Sequence, residues 1–85
     1  MTTRDSYDPD LRKLEWRCRR GMKELDFLLL RYLRGRHADA ASEERAAFAE
    51  FLELPDPDLV RYLIAGDVPK DSRFAGLCRS VLQAN

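Results

Sequence analysis

The fold is decided by residues 22–35, Met-Lys-Glu-Leu-Asp-Phe-Leu-Leu-Leu-Arg-Tyr-Leu-Arg-Gly. Apolar side chains recur there every three or four residues, which is the spacing of one face of an α-helix. The run from Phe27 to Leu30 widens that face, so we expect this helix to be the central and most buried one. It should start near Met22 and end near Gly35, because glycine is typical of helix ends. The predicted apolar face comprises Met22, Leu25, Leu29 and Tyr32 or Leu33, with Phe27, Leu28 and Leu30 beside it.

Four other segments have the same helical spacing, and none alternates with the period of a strand. The tetrapeptide Asp-Pro-Asp-Leu occurs at 8–11 and 56–59 and predicts two helix starts, with the first Asp as the cap and Pro as the first helical residue. Ser42 is the predicted cap of a third helix, and Asp71 or Ser72 starts the last one. The prediction is an all-α fold, a small five-helix bundle at 9–85 that follows a flexible N-terminal tail at 1–8. Besides the central helix, the other four run from about Pro9 to Arg19, from Ser42 to Leu54, from Asp56 to Gly66, and from Asp71 or Ser72 through Leu82.

Composition restricts the classes of function. The chain has 85 residues, 45% of them hydrophobic, and its fifteen basic and fifteen acidic residues give a formal net charge of zero. Such a balance argues against a protein that coats nucleic acid, which needs an excess of basic residues. No apolar run is long enough to span a membrane, and the acidic N-terminus does not resemble a leader peptide. We expect a monomeric protein of the bacterial cytoplasm.

Enzyme and metal chemistry find little support in the sequence. Cys18 and Cys78 both lie in helical patterns and are expected to be free, buried and structural. The only histidine, His37, falls in a predicted loop and has no neighbouring base, nucleophile or metal ligand. We therefore expect neither a catalytic residue nor a metal site.

The junction at residues 19–26, Arg-Arg-Gly-Met-Lys-Glu-Leu-Asp, is the unusual part of the chain. Gly21 would cost about 1 kcal/mol inside a helix, so it indicates either a turn of the backbone or a place where a partner approaches closely. Arg20 and Glu24 are four residues apart and would form a weak surface ion pair if the helix were continuous.

A cluster of basic residues precedes this junction. Trp16 lies within it, off the apolar stripe formed by Leu11, Leu14 and Cys18. A tryptophan among arginines is typical of an interface anchor, and a contact with nucleic acid or with a flavin phosphate would look similar. Burial under the N-terminal tail and an ordinary solvated face are the simpler alternatives. The cluster comprises Arg12, Lys13, Arg17, Arg19, Arg20 and Lys23.

Residues 16–26 resemble the small FAD assembly factors of succinate dehydrogenase, known in bacteria as SdhE and in mitochondria as succinate dehydrogenase assembly factor 2. The signature of that family is Arg-Gly-x-x-Glu, matched here by Arg20, Gly21 and Glu24. The preceding Trp-x-Cys-Arg pattern is matched by residues 16–19, and a second block is matched by Asp-Pro-Asp-Leu at 56–59 with Tyr62 after it. The resemblance covers roughly residues 9–83.

The resemblance implies a five-helix bundle that is not an enzyme and holds no cofactor stably. Members of the family bind the flavoprotein subunit of succinate dehydrogenase or of fumarate reductase and promote covalent attachment of FAD to a histidine of that subunit. The flavoprotein itself forms the bond, and the assembly factor holds it in the reactive geometry. By the same resemblance Arg20, Gly21 and Glu24 make the functional contact. The supporting contacts are Trp16, Arg19 and Asp26.

Two other functions remain open from the residues alone. The basic patch from Arg12 to Lys23 could bind nucleic acid, with an affinity that would weaken steeply with salt. The same patch could serve a toxin-neutralising or cytoskeleton-associated interaction module, which would bind a partner without flavin.

Overall fold

The computed structural model describes residues 9–84, which form five α-helices and one short 3₁₀ turn. No strand occurs within that range, so the prediction of an all-α five-helix fold is confirmed. The tail at 1–8, and with it the predicted cap Asp8, lies outside the described residues. The helices are α1 (Pro9–Cys18), α2 (Lys23–Gly35), α3 (Ser42–Phe51), α4 (Asp56–Leu63) and α5 (Ser72–Gln83), and the 3₁₀ turn is His37–Asp39.

Helix α2 is central, as its sequence predicts. It packs against α1, α4 and α5, and α5 also packs against α3 and α4. Its buried face consists of Leu25, Leu29, Tyr32 and Leu33. The Tyr32 hydroxyl donates a hydrogen bond of 2.6 Å to the carboxylate of Glu44 on α3, so the polar end of this core tyrosine is satisfied. The rest of the core comprises Cys18, Ala47, Phe48, Phe51, Leu52, Leu59, Leu63, Leu77, Cys78, Val81 and Ala84.

Met22 and Phe27, which we assigned to the apolar side of α2, are instead exposed, and so are the apolar residues Ile64 and Leu82 of the last two helical segments. Met22 precedes α2 in an extended conformation and so is not part of its helical face. Phe27 follows Leu25 by two residues, which places it about 200° around the helix, on the opposite side. Ile64 comes after the last residue of α4.

Helix starts differ from the prediction in two places. Ser42 and Asp56 are the first helical residues, and the cap positions are taken by Ala41 and Pro55 without a side-chain hydrogen bond. Helix α3 ends at Phe51, earlier than the predicted end at Leu54. Asp71 does cap α5, because its carboxylate accepts a hydrogen bond of 2.9 Å from the backbone N–H of Arg73. Among the helices of residues 9–84, none combines the length and apolar character needed to cross a membrane.

Candidate functional site at the α1–α2 junction

The chain turns between α1 and α2 at Gly21. Its φ angle is +84°, in the left-handed region that glycine adopts readily and other residues rarely do. A Cβ added at Gly21 would meet no atom within 4 Å, so crowding inside the protein does not require the glycine. The backbone conformation requires it, and the open space in front of it leaves the backbone accessible to a partner.

Asp26 fixes the conformation of this turn. Its carboxylate accepts hydrogen bonds from three consecutive backbone N–H groups, those of Arg20 at 2.8 Å, Gly21 at 3.2 Å and Met22 at 3.4 Å. Consecutive N–H groups that point to one spot form a binding site for an anion. Here the anion is the chain's own carboxylate, so these three donors are not available to a phosphate group.

Arg20 points inward and ties the junction to the α3–α4 connection. Its guanidinium group donates to the Asp56 carboxylate at 2.8 Å and to the carbonyl oxygens of Leu52 and Leu54 at 2.7 and 2.8 Å. It also donates to the carbonyl oxygen of Arg17 at 3.0 Å. The Arg20 side chain is only 16% exposed. The planar guanidinium fork suits such multiple acceptors, and this set of bonds, which we call the Arg20 latch, defines a structural role.

The ion pair that Arg20 and Glu24 would form in a continuous helix is absent, because α1 ends at Cys18 and α2 begins at Lys23. Glu24 lies in the first turn of α2 and is exposed, and its side chain makes no hydrogen bond or ion pair with any residue of the described range. Trp16 is 74% exposed on α1. The predicted site residues therefore fall into two groups, with Arg20 and Asp26 facing the protein and the other four facing outward.

Comparison with known proteins agrees with the resemblance. A family model described as "Flavinator of succinate dehydrogenase" (Sdh5) matches residues 12–85. The chain belongs to this family.

Several bacterial relatives of this flavinator family carry the name FAD assembly factor SdhE. The protein of Xylella fastidiosa strain 9a5c is 48% identical over 68 residues, which is 80% of this chain and 70% of the relative. That of Coxiella burnetii is 36% identical over 72 residues, 85% and 88% of the two chains, and that of Methylococcus capsulatus is 45% identical over 65 residues, 76% and 78%. These names describe assembly factors rather than enzymes. No solved structure matches the chain significantly.

The basic cluster of this flavinator-family chain is partly neutralised. Arg17 lies 3.8 Å from the Glu53 carboxylate, and Arg19 lies 3.6 Å from that of Glu15. Glu15 also accepts a hydrogen bond of 2.7 Å from Arg34 on α2, which lowers the pKa of the Glu15 carboxyl. With Arg20 paired to Asp56, at least three of the six basic residues have an acidic partner among residues 9–84, which weakens the patch as a nucleic-acid surface.

Both cysteines are free and buried, as expected. Burial raises the pKa of the Cys18 thiol to about 12 and that of the Cys78 thiol to about 11. Thiols that stay protonated are poor nucleophiles and poor metal ligands. Within residues 9–84 no group of three or more candidate metal ligands occurs.

His37 is buried, which its place in a predicted loop did not indicate. The ring packs edge-on to Tyr32 and against Phe48, with centroid distances of 6.3 and 5.6 Å. Its Nδ1 atom is buried and has no hydrogen-bond partner in the described structure. Burial, with a smaller effect from the charge of Arg45, lowers the pKa of His37, and Glu44 opposes this shift.

The pH dependence of stability follows from His37. Because its folded pKa lies below the ordinary value near 6.5, the unfolded chain binds the proton more tightly. Stability should be full above pH 6.5 and fall as the pH drops below it, by at most about 1.4 kcal/mol per pH unit. Urea unfolding at pH 7.5 and 5.5 measures this, and His37→Phe should remove the difference. An equal loss of stability between pH 7.5 and 5.5 in His37→Phe would show that other titrating groups cause the pH dependence.

The Arg20 latch, the burial of His37 and the exposure of Phe27 are features that we did not predict from the sequence. Arg20 and Asp56 stand in the two separate blocks that resemble the family, one block each. The opposite charges of Arg20 and Asp56 were the feature of the sequence from which a contact between the two blocks could have been predicted.

Proposed function

We propose that this chain promotes covalent attachment of FAD to the flavoprotein subunit of succinate dehydrogenase, and of fumarate reductase where the host has one. Its membership of the flavinator family and the names of its relatives support this activity. In this proposal the flavoprotein, called the client below, forms the bond itself. The assembly factor contributes by holding the client in a productive geometry, since orientation alone can lower a barrier substantially.

The observation that carries the proposal is the outward face of the junction, where the backbone of Gly21 is open and the Glu24 carboxylate has no partner among residues 9–84. We assign the contact with the client to Gly21 and Glu24, and an adjacent hydrophobic contact to Trp16. Arg20 and Asp26 take part by fixing the backbone that presents them. The exposed Glu24 carboxylate, presented by this fixed backbone, can pair with a basic group of the client and so set the register of the complex.

FAD is assigned to the client rather than to this chain. The three backbone donors at the junction that could hold a flavin pyrophosphate are occupied by Asp26. The chain thus offers a surface for protein contact at this place. The buried free thiols agree with a reducing compartment, and we propose action as a monomer in the bacterial cytoplasm.

The test is a reconstitution with purified apo-flavoprotein and FAD. Covalent flavin stays with the subunit in a denaturing gel and is measured by its fluorescence. We expect this chain to raise the rate of attachment by about tenfold or more, because positioning of the reacting groups lowers the barrier. An attachment rate equal to that with bovine serum albumin, an inert protein used at the same concentration, would overturn the proposal.

Gly21→Asn is the variant that separates the two uses of the glycine in the same assay. Asparagine tolerates the left-handed conformation better than other residues with a side chain, so the variant should fold. Its side chain would occupy the open space where the client is proposed to approach, and attachment should fall. Full activity of a folded Gly21→Asn variant would restrict the glycine to a conformational role.

A further inference from the structure

An open cleft lies on the outer face of α2, one turn beyond Glu24. Phe27 and Leu30 provide its apolar surface, and Arg31 and Arg34 provide its charge, with Gly35 at the end of the helix. The cleft is separate from the junction turn but lies on the same helix, so one partner could cover both.

The apolar part of the cleft is unusual because it exposes a large aromatic side chain on a helix whose opposite face is buried. Phe27 is 59% exposed, although the neighbouring Leu25 and Leu29 are fully buried on the other side of α2. Leu82 at the end of α5 is 45% exposed and lies against Arg31, which donates toward its carbonyl oxygen. Exposed aromatic residues beside an arginine are typical of the centre of a protein interface.

The two arginines of the cleft differ in their partners, because Arg34 pairs with Glu15 at 2.7 Å whereas Arg31 has no carboxylate partner among residues 9–84. The Arg31 guanidinium lies over the Phe27 ring at 5.3 Å and makes only long hydrogen bonds, of 3.5 and 3.4 Å, to the carbonyl oxygens of Val81 and Leu82. Its Nε atom is buried without a hydrogen-bond partner among residues 9–84, and no carboxylate in that range pairs with it. Arg34 shares the Glu15 carboxylate with Arg19. The cleft therefore carries positive charge that a carboxylate would complement.

The cleft continues the surface proposed to contact the client. Glu24, Phe27 and Arg31 are spaced at i, i+3 and i+7, which places them on one face of α2 over about 10 Å of helix. A negative group, an aromatic ring and a positive group thus follow one another along a single line. Such a pattern gives a partner both a direction and a register.

We propose that this cleft receives a client segment in which an apolar side chain is followed or preceded by an acidic residue. The apolar side chain packs against Phe27 and Leu30, and the carboxylate pairs with Arg31. This proposal rests on the proposed function, since the occupant is the same flavoprotein. It makes Phe27 and Arg31 specificity-determining residues in addition to the Arg-Gly-x-x-Glu signature.

The experiment measures the affinity of the full chain for the purified apo-flavoprotein, by biolayer interferometry at low and at physiological salt. Phe27→Ala should weaken binding about tenfold at both salt concentrations, because the loss is one of apolar contact. Arg31→Gln should weaken it about fivefold at low salt and reduce the dependence on salt. Val68→Ala is the matched control, since Val68 is 76% exposed on the α4–α5 connection and outside α2. It should bind like the wild type.

The outcomes distinguish this proposal from the proposed function. If the wild type binds the client and promotes flavin attachment while both cleft variants bind equally well, the cleft proposal is overturned and the function stands. If the wild type neither binds nor promotes attachment, both fall. If Phe27→Ala changes only the sedimentation of the chain by itself, the cleft is a contact between two copies and the proposal is again overturned. Urea unfolding of Arg31→Gln shows whether its loss of affinity comes from a loss of stability. Phe27→Ala tests the proposal independently of that control, because Phe27 is exposed and not part of the core.

Discussion

Arg20→Met should lower the free energy of unfolding by about 2–4 kcal/mol, because it leaves several buried or half-buried acceptors without their donor. The guanidinium group joins the α1–α2 junction to the Leu52 and Leu54 carbonyls and to the Asp56 carboxylate, 36 residues away in the sequence. Methionine fills much of the same space, so the loss reports on the hydrogen bonds rather than on a cavity. Urea unfolding followed by circular dichroism measures it.

Arg61→Met is the matched control for this change. Arg61 is likewise paired, with the carboxylates of Asp58 and Asp67, each at 3.3 Å, but its side chain is 54% exposed. Exposed ion pairs contribute little, so this variant should lose no more than about 1 kcal/mol. Equal losses for Arg20→Met and Arg61→Met would contradict the structural role of Arg20. The free energy of unfolding of Arg20→Lys should lie between those of Arg20→Met and the wild type, because an ammonium group keeps the charge but cannot reproduce the hydrogen-bond geometry of the guanidinium group.

The course of α2 could be predicted from its sequence, because Leu25, Leu29, Tyr32 and Leu33 repeat with the helical period and are buried together. Phe27 was assigned to the same face because it begins an unbroken apolar run at 27–30, in which residue type alone does not distinguish the two sides of the helix. Only the periodicity does, and it places Phe27 outward.

The partners of the junction could not be predicted in the same way. Asp56 was predicted to be a helix cap because caps can be recognised from local sequence patterns. Its carboxylate instead accepts a hydrogen bond from Arg20, which lies in a distant part of the chain. His37 looked like a loop residue because its aromatic neighbours, Tyr32 and Phe48, come together only when α2 and α3 pack. Gly21 was easier to interpret, since an expensive glycine between charged residues indicates a turn.

Glu24→Ala is expected to have the largest effect on function and almost none on stability. The side chain is exposed and has no partner among the described residues, so its removal should change the free energy of unfolding by less than about 0.5 kcal/mol. In the complex, loss of one member of a desolvated charge pair costs about 2–5 kcal/mol, which is about thirtyfold or more in affinity. Flavin attachment should fall accordingly. Glu43→Ala removes an equivalent exposed carboxylate from the first turn of α3 and serves as the control.

The most direct test of the account is the covalent flavin fluorescence of the client subunit in a denaturing gel, after incubation with FAD and equal amounts of wild-type, Glu24→Ala or Glu43→Ala protein. We predict strong fluorescence with the wild type and with Glu43→Ala, and at least a tenfold weaker signal with Glu24→Ala at limiting protein concentration. Equal fluorescence with all three proteins, each verified as folded, would contradict the assignment of the client contact to the outward face of the junction.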